Sequence, residues 1–293
     1  MEGAQSLANQ DMLQDIQVHK IDRSDVQQLD FDLPDFDAIT TALPTGLYTT
    51  FRTFAGKTKV IGLRAHLERL YLPAKAQGIA PALRRQDDLR IILSDLLMRF
   101  EAPEARVRLI LDMSQDPGII YVLLQAMNAL PTAIYDEGVH AEISKSSREK
   151  PSLKRTSFIS ESAFERKRVG GEVFEILLTN RGRILEGMTS NFFYVLDGVL
   201  CTAGRGILIG VTRQTVISIA KEHGIEVGYR ALPLNELDNI QEAFITSSSR
   251  GVVPVVQVDG RNVAEGGVGE MTTKLMRLYE EEVLSLAEEI IEA

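Results

Sequence analysis

One cysteine, Cys201, stands among 293 residues, so no intramolecular disulfide can form and a reducing, cytoplasmic setting is expected. Histidine is scarce as well. His19, His66, His140 and His223 are scattered, with no pair at ligand spacing and no second soft ligand, so no metal is expected. Long apolar runs are missing: no stretch approaches the roughly 20 residues that cross a bilayer. The opening MEGAQSLANQDMLQDI has neither the basic start nor the apolar stretch of a signal peptide. A membrane partner is therefore not expected. Basic residues are outnumbered, 32 Lys and Arg against 41 Asp and Glu, for a net charge of −9. That balance argues against a nucleic-acid partner, which would call for a basic stripe. Small anions can still be held, because helix N-termini attract them whatever the global charge.

What is present is a globular composition, with room for two domains of ordinary size. Residues 1–30 are polar and weakly patterned and read as a leader or a dimer-contacting arm. Residues 31–127 read as a small N-terminal domain. In it LYTTFRTFAG and KTKVIGL form a hairpin turning at Ala55-Gly56-Lys57. A helix from Ala65 to Gly78 is broken or kinked at Pro73, and a second spans DDLRIILSDLLMRF. The strands VRLILDM and GIIYVLLQAM follow, divided by Gln115-Asp116-Pro117-Gly118. Residues 128–135, NALPTAIY, read as a linker. Residues 136–293 form a larger, sheet-rich domain with strands VHAEIS, EVFEILLT, ILEGMTSNFFYVL, VLCTA, EAFITS and VPVVQVDG. Its helix VTRQTVISIAKEHG and a long closing helix, MTTKLMRLYEEEVLSLAEEIIEA, complete an α+β pattern.

Within that second domain, Gly206-Ile207-Leu208-Ile209-Gly210-Val211-Thr212-Arg213 runs from a loop straight into a helix. Gly210 admits close backbone approach, the amides of Val211 and Thr212 point outward, and the Thr212 hydroxyl can donate to an oxyanion. Thr246-Ser247-Ser248-Ser249, at the end of an apolar strand, is a second group of donors. Lys154, in PSLKRTSF, and Glu186, in a strand-like apolar stretch, read on their own as a solvated lysine and an outward-facing strand carboxylate.

The order Lys154, then LEGMTSNFF around Glu186, then GILIGVTR, then ITSSSRGVVPV resembles the class IV, or fold-type IV, pyridoxal 5′-phosphate (PLP) aminotransferases. That family includes branched-chain and D-amino-acid aminotransferases and 4-amino-4-deoxychorismate lyase. The likeness runs from about Gly46 to the last helix and includes YTTFRTFAGK and HLERLYLPAKAQGI. It implies a two-domain α+β fold with the site between the domains, in a homodimer. It also implies a PLP-dependent transaminase acting on an amino acid, branched-chain as a first choice, and a 2-oxo acid. Lys154 matches the lysine that carries PLP as a Schiff base and Glu186 the carboxylate that faces the pyridine nitrogen. Arg69 matches the phosphate arginine, Val211, Thr212 and Ser248 the other phosphate ligands, and Leu208 the apolar residue packed on the ring. Tyr48 matches an aromatic residue facing substrate, and Arg52 and Arg250 are candidates for a substrate carboxylate. The chain departs from the family in three places. Leu43-Pro44-Thr45-Gly46 replaces an acidic Gly-Asp-Gly turn. Asp112-Met113 falls where D-amino-acid enzymes carry an arginine. Arg155-Thr156-Ser157 follows the lysine where the lyase has a His-Leu-Asn run. The lyase, a PLP-binding protein without catalysis, and a PLP-free sugar-phosphate or nucleotide binder remain alternative readings.

Overall fold

The computed structural model describes residues 16–23 and 25–291. They divide into two compact units. The first runs up to Asn128 and also takes in Arg155–Ile159 and the chain from Ala287 onward. Its elements begin with β1 (Gln17–Asp22), β2 (Asp25–Leu29), α1 (Phe36–Ala42), β3 (Gly46–Arg52) and β4 (Lys59–Ile61). Two helices, α2 (Leu63–Ala76) and α3 (Gln86–Arg99), precede β5 (Ala105–Asp112) and β6 (Ile120–Ala126). Five of these strands form one antiparallel sheet in the order β2-β1-β6-β5-β3.

Several of these elements have identifiable causes. Helix α1 is started by Asp35, whose carboxylate accepts from the amides of Asp37 and Ala38, both at 2.8 Å. The hairpin between β3 and β4 turns at Ala55, Gly56 and Lys57, all three at positive φ. Pro73 neither breaks nor ends α2. The buried stripe Leu63, His66, Leu67, Leu70, Tyr71 and Ala74 continues past it, and that packing outweighs the one helical hydrogen bond a proline forfeits. Gly46 opens β3 with its Cα against β5, where a Cβ would stand 2.0 Å from the Leu111 carbonyl oxygen.

The reading of residues 1–30 as a leader needs correction for residues 17–22 and 25–29, which are two strands of the first sheet; residues 1–15 lie outside the described residues. Val18 and Ile21 are fully buried although they face opposite sides of the sheet, so no apolar alternation marks β1. Strand β2 is a largely exposed, polar edge, as edges commonly are. The segment Arg155–Ile159 also belongs to the first unit, not the second. Thr156 exchanges hydrogen bonds with Gly46, its amide donating to the Gly46 carbonyl at 2.9 Å and its hydroxyl accepting from the Gly46 amide at 2.8 Å.

The second unit contains α4 (Ala133–Asp136), β7 (Val139–Ser144), the end of α5 (Ser157–Glu161), α6 (Ala163–Arg168), β8 (Val173–Asn180) and β9 (Arg183–Gly187). Then come β10 (Asn191–Leu196), β11 (Val199–Thr202), α7 (Val211–Glu222), β12 (Val227–Tyr229) and β13 (Leu232–Pro233). Strands β14 (Glu242–Ser247), β15 (Gly251–Val258) and β16 (Arg261–Asn262) lead to α8 (Glu270–Leu286). The strands follow one path, β12-β11-β10-β14-β15-β7-β8-β9-β13, with β16 on β15. Strand β15 changes partner along its length: Gly251–Pro254 pair with β14, and Val255–Val258 pair with β7, with a bulge between Val255 and Gln257. Phe193 and Phe244 stack at 4.8 Å on one side of the path, and Tyr194, Ile245, Val253 and Val255 share a core on the other.

Two further readings change here. The long closing helix stops at Leu286, and Ala287–Glu289 form β17, which pairs with β4 of the first unit. ILEGMTSNFFYVL is not one strand but two, β9 and β10, separated by a turn at Met188–Ser190.

The place of β1 in the first sheet is open to a direct check. Ile21→Ala should lower the unfolding free energy by about 3 kcal/mol in a denaturant titration. A residue of a solvated leader would change it by no more than about 0.5 kcal/mol.

Candidate active site

The second unit gathers seven of the residues singled out in the sequence: Lys154, Glu186, Leu208, Val211, Thr212, Ser248 and Arg250. Glu186, on β9, is 2 % exposed. Removing a carboxylate from water is costly unless donors replace the water. Three do so. The Arg148 Nε donates to Oε1 at 3.0 Å, and the Leu208 amide donates to Oε2 at 3.0 Å. Asn191 Nδ2 lies 3.5 Å from Oε2 and donates to the Leu208 carbonyl at 2.7 Å. Arg148 also donates from Nη2 to the Met188 carbonyl at 2.7 Å, which fixes the backbone just beyond Glu186.

These partners do not offset burial in full. Desolvation pushes the Glu186 carboxyl up from its ordinary value of 4.5 to about 7. The charges of Arg148 and Lys154 and the hydrogen bonds from Leu208 and Arg148 pull the other way. Lys154 therefore lies close enough to act on Glu186 through space. It is half-buried, at the end of a turn. The site is short of positive charge at its carboxylate, which suits a protonated ring nitrogen.

A second cluster lies at the start of α7. Val211 and Thr212 are its first residues, both buried, and no side chain caps the amides there. Thr212 Oγ1 is 3.4 Å from Ser248 Oγ, so two hydroxyls meet at the start of the helix. Gly210 is required by close approach: a Cβ there would stand 2.1 Å from Asn191 Oδ1. Nearby on β14, opposite Asn191 in the sheet register, Thr246 Oγ1 is buried and has no hydrogen-bond partner among the described residues. Amides, hydroxyls and an orphaned buried hydroxyl are the kind of donors that could hold a phosphate.

Leu208 is 8 % exposed and binds Glu186 through its amide. Arg250 is already engaged. Its Nη2 donates to Thr189 Oγ1 at 2.6 Å and to Glu175 Oε2 at 3.3 Å, and its Nε donates to Ser247 Oγ at 3.0 Å. Tyr48, Arg52 and Arg69 belong to the first unit. Tyr48 is 4 % exposed and packs with Phe36, Ile110 and Tyr121 under the Arg108 guanidinium. Arg52 is half-buried over the Phe54 ring, and Arg69 is half-buried on α2. Asp112 is fully buried and accepts from the amides of Ser114, Gln115 and Asp116, closing the turn after β5.

Sequence reasoning missed three residues of the second unit: Arg148, Asn191 and Glu175. The only signal for Arg148 was a lone arginine in SKSSREK, six residues before Lys154.

An amino-transferase class IV family profile matches residues 46–258 of the chain. The chain is a class IV aminotransferase. It is 31% identical over 253 residues to a Methanocaldococcus jannaschii protein that carries a provisional branched-chain-amino-acid aminotransferase name, a match covering 80% of this chain and 86% of that one. A D-alanine aminotransferase of Listeria monocytogenes is 36% identical over 118 residues, 40% of this chain and 41% of its own. Among solved structures, that of a Thermotoga maritima protein with a similarly provisional branched-chain name superimposes with a TM-score of 0.76 at 28% identity, covering 91% of this chain and 96% of the other. The class IV aminotransferase has the fold-type IV architecture and is a PLP-dependent transaminase.

The charge deficit at Glu186 has a pH signature. Its raised pKa means that the folded protein binds this proton more tightly than the unfolded chain does. The associated stability is fully present below about pH 4.5 and is lost as pH rises towards about 7. In the cofactor-free protein, wild-type stability relative to Glu186→Gln should therefore fall across that window, by on the order of 3 kcal/mol, and level off above it. Denaturant unfolding of both proteins between pH 4 and 8 would show it, and a flat difference would contradict it.

Proposed function

We propose that this aminotransferase moves an amino group between a branched-chain L-amino acid and a 2-oxo acid, with Lys154 as the residue that holds PLP and moves the proton. The observation that carries the reading is the buried Glu186 carboxylate, held by Arg148 and Leu208 and acted on by the Lys154 charge. Glu186 would face the pyridine nitrogen and keep it protonated. Leu208 would pack on the ring. The amides of Val211 and Thr212, with the hydroxyls of Thr212 and Ser248, would take the phosphate. When bound, PLP supplies an electron sink for the pair left on the substrate α-carbon.

The chain's own groups do the rest. With its amine free beside the substrate α-carbon, Lys154 would act as the base that takes the α-proton and then gives it back to complete the proton shift. Glu186 stabilises the positive charge on which that proton's acidity depends. Arg148 keeps Glu186 in place and, through the Met188 carbonyl, keeps the following turn in register.

The branched-chain assignment follows the relatives matched over most of their length, which bear that name. A D-amino-acid reading has local matches in its favour. Against it stands Asp112, a buried acid occupied with its own turn where such enzymes carry an arginine for the substrate carboxylate. A cytoplasmic homodimer is inferred from the resemblance and the single cysteine; sedimentation would then report twice the 32.5 kDa chain mass.

The experiment is the visible absorption spectrum of purified protein, before and after single amino acids of each hand. PLP bound to Lys154 gives a visible band, which L-leucine, L-isoleucine and L-valine should bleach while D-alanine leaves it unchanged. Lys154→Ala should lose the band and at least about a thousandfold in transamination rate. A Lys154→Ala protein with wild-type turnover would end the proposal.

A further inference from the structure

We propose that Glu175 is a positioning residue of the cofactor site: one buried carboxylate that fixes both the turn between Glu186 and Asn191 and the turn that carries Ser248. The inference rests on the reading above, in which Glu186 and Ser248 address opposite ends of PLP.

Glu175 lies on β8 and is 1 % exposed. Its Oε2 accepts from the Thr189 hydroxyl at 2.6 Å, the Thr189 amide at 3.3 Å and the Ser190 hydroxyl at 2.9 Å. The same oxygen accepts from Arg250 Nη2 at 3.3 Å, and Oε1 accepts from the Ile176 amide at 3.0 Å. Gly187 leaves room for this arrangement: a Cβ there would stand 2.1 Å from Ser190 Oγ and 3.0 Å from Glu175 Cγ.

The partners come from two turns. Thr189 and Ser190 lie in the break between β9 and β10, three residues beyond Glu186 and directly before Asn191. Arg250 closes the turn between β14 and β15, two residues beyond Ser248. It is clasped there by Ser247, through Oγ at 3.0 Å, and by the Phe174 ring at 5.2 Å. Tyr135 donates from its hydroxyl to the Arg250 carbonyl at 3.0 Å. At the ring end, Asn191 reaches Glu186 and the Leu208 carbonyl. At the phosphate end, Ser248 meets Thr212. A single carboxylate thus ties together the supports of both ends.

An apolar side chain at this place would avoid the cost of burying a charge. It would also leave two hydroxyls, an amide and a guanidinium without their common acceptor, and the two turns without their link. Turn geometry, not packing, is what the carboxylate supplies.

The test uses the full-length protein, freed of cofactor and titrated with PLP, as wild type, Glu175→Gln, Thr189→Val, Ser248→Ala and the Glu175→Gln/Ser248→Ala double variant. Cofactor affinity, kcat and KM for the amino donor, and thermal unfolding without cofactor are measured for each. Glu175→Gln should weaken PLP binding about tenfold or more and lower kcat, while KM for the donor stays within about twofold. Ser248→Ala should weaken PLP several-fold in wild type but less than about twofold in the Glu175→Gln background, because Ser248 is already displaced there. Unchanged PLP affinity with a lowered melting temperature would overturn the proposal, as would full additivity with Ser248→Ala. Thr189 is exposed, so Thr189→Val keeps the test available if Glu175→Gln does not fold; a several-fold loss of PLP affinity is expected of it, and none would count against the proposal. Wild type that takes up no PLP defeats the functional reading and this inference with it. Wild type that binds PLP through Lys154, beside a Glu175→Gln protein that binds equally well, defeats the positioning role alone.

Discussion

A carboxylate kept almost dry beneath one arginine sets the terms for the second unit. Taking a carboxylate and a guanidinium out of water costs several kcal/mol for each ion, and their attraction offsets this only where geometry is good and the remaining lone pairs are met. Arg148 and the Leu208 amide meet one oxygen of Glu186 each, and the remaining shortfall shows as a carboxyl raised to about 7. A carboxylate in that state is poised: a cation placed against it gains interaction that bulk water would have diluted. The loop from β7 to Lys154, the start of β10 and the approach to α7 all converge on this group. The Glu165 carboxylate anchors the first of them by accepting from the hydroxyls of Ser144 and Ser146, at 3.0 and 2.9 Å.

Two acids eleven residues apart, Glu175 and Glu186, lie on neighbouring strands and have been given different surroundings. Glu186 has few donors and one strong cation, which leaves it receptive to a further positive group. Glu175 is saturated by hydroxyls, amides and Arg250, which leaves it nothing to offer a ligand. The chemistry of a buried carboxylate is decided by how many donors already point at it.

Elements whose causes are local could be read directly. Helix α7 follows its apolar spacing, and the hairpins at Arg181-Gly182 and Asp197-Gly198 follow residues that accept positive φ, which all four adopt. Elements whose causes are remote could not. Glu186 looked like an outward-facing strand residue because its partner Arg148 sits 38 positions upstream in a segment whose composition suggests solvent. The break inside ILEGMTSNFFYVL is made by Glu175 drawing Thr189 and Ser190 out of line, an effect that no period in the segment records. Strand β1 escaped notice because both of its faces are covered, and α1 because a seven-residue helix gives too short a pattern. Resemblance singled out Lys154 and Glu186 where local pattern did not, since order along the chain preserves what local pattern loses.

Arg250 shows how geometry narrows a role that composition leaves open. For this guanidinium to turn Nε and Nη2 to a substrate carboxylate, it would have to leave Thr189, Ser247 and Glu175, and Glu175 would then be a buried acid with its charge partner gone. Charge-assisted hydrogen bonds contribute about 1.5–3 kcal/mol each, so the exchange yields little or nothing. The residue is better placed as the clasp of its turn. The same reasoning bears on stereochemistry. The proposed contacts from Glu186, Leu208, Thr212 and Ser248 all go to the cofactor. Those contacts are identical whichever face of the α-carbon carries the hydrogen, so stereochemistry has to be imposed by groups that touch the substrate itself.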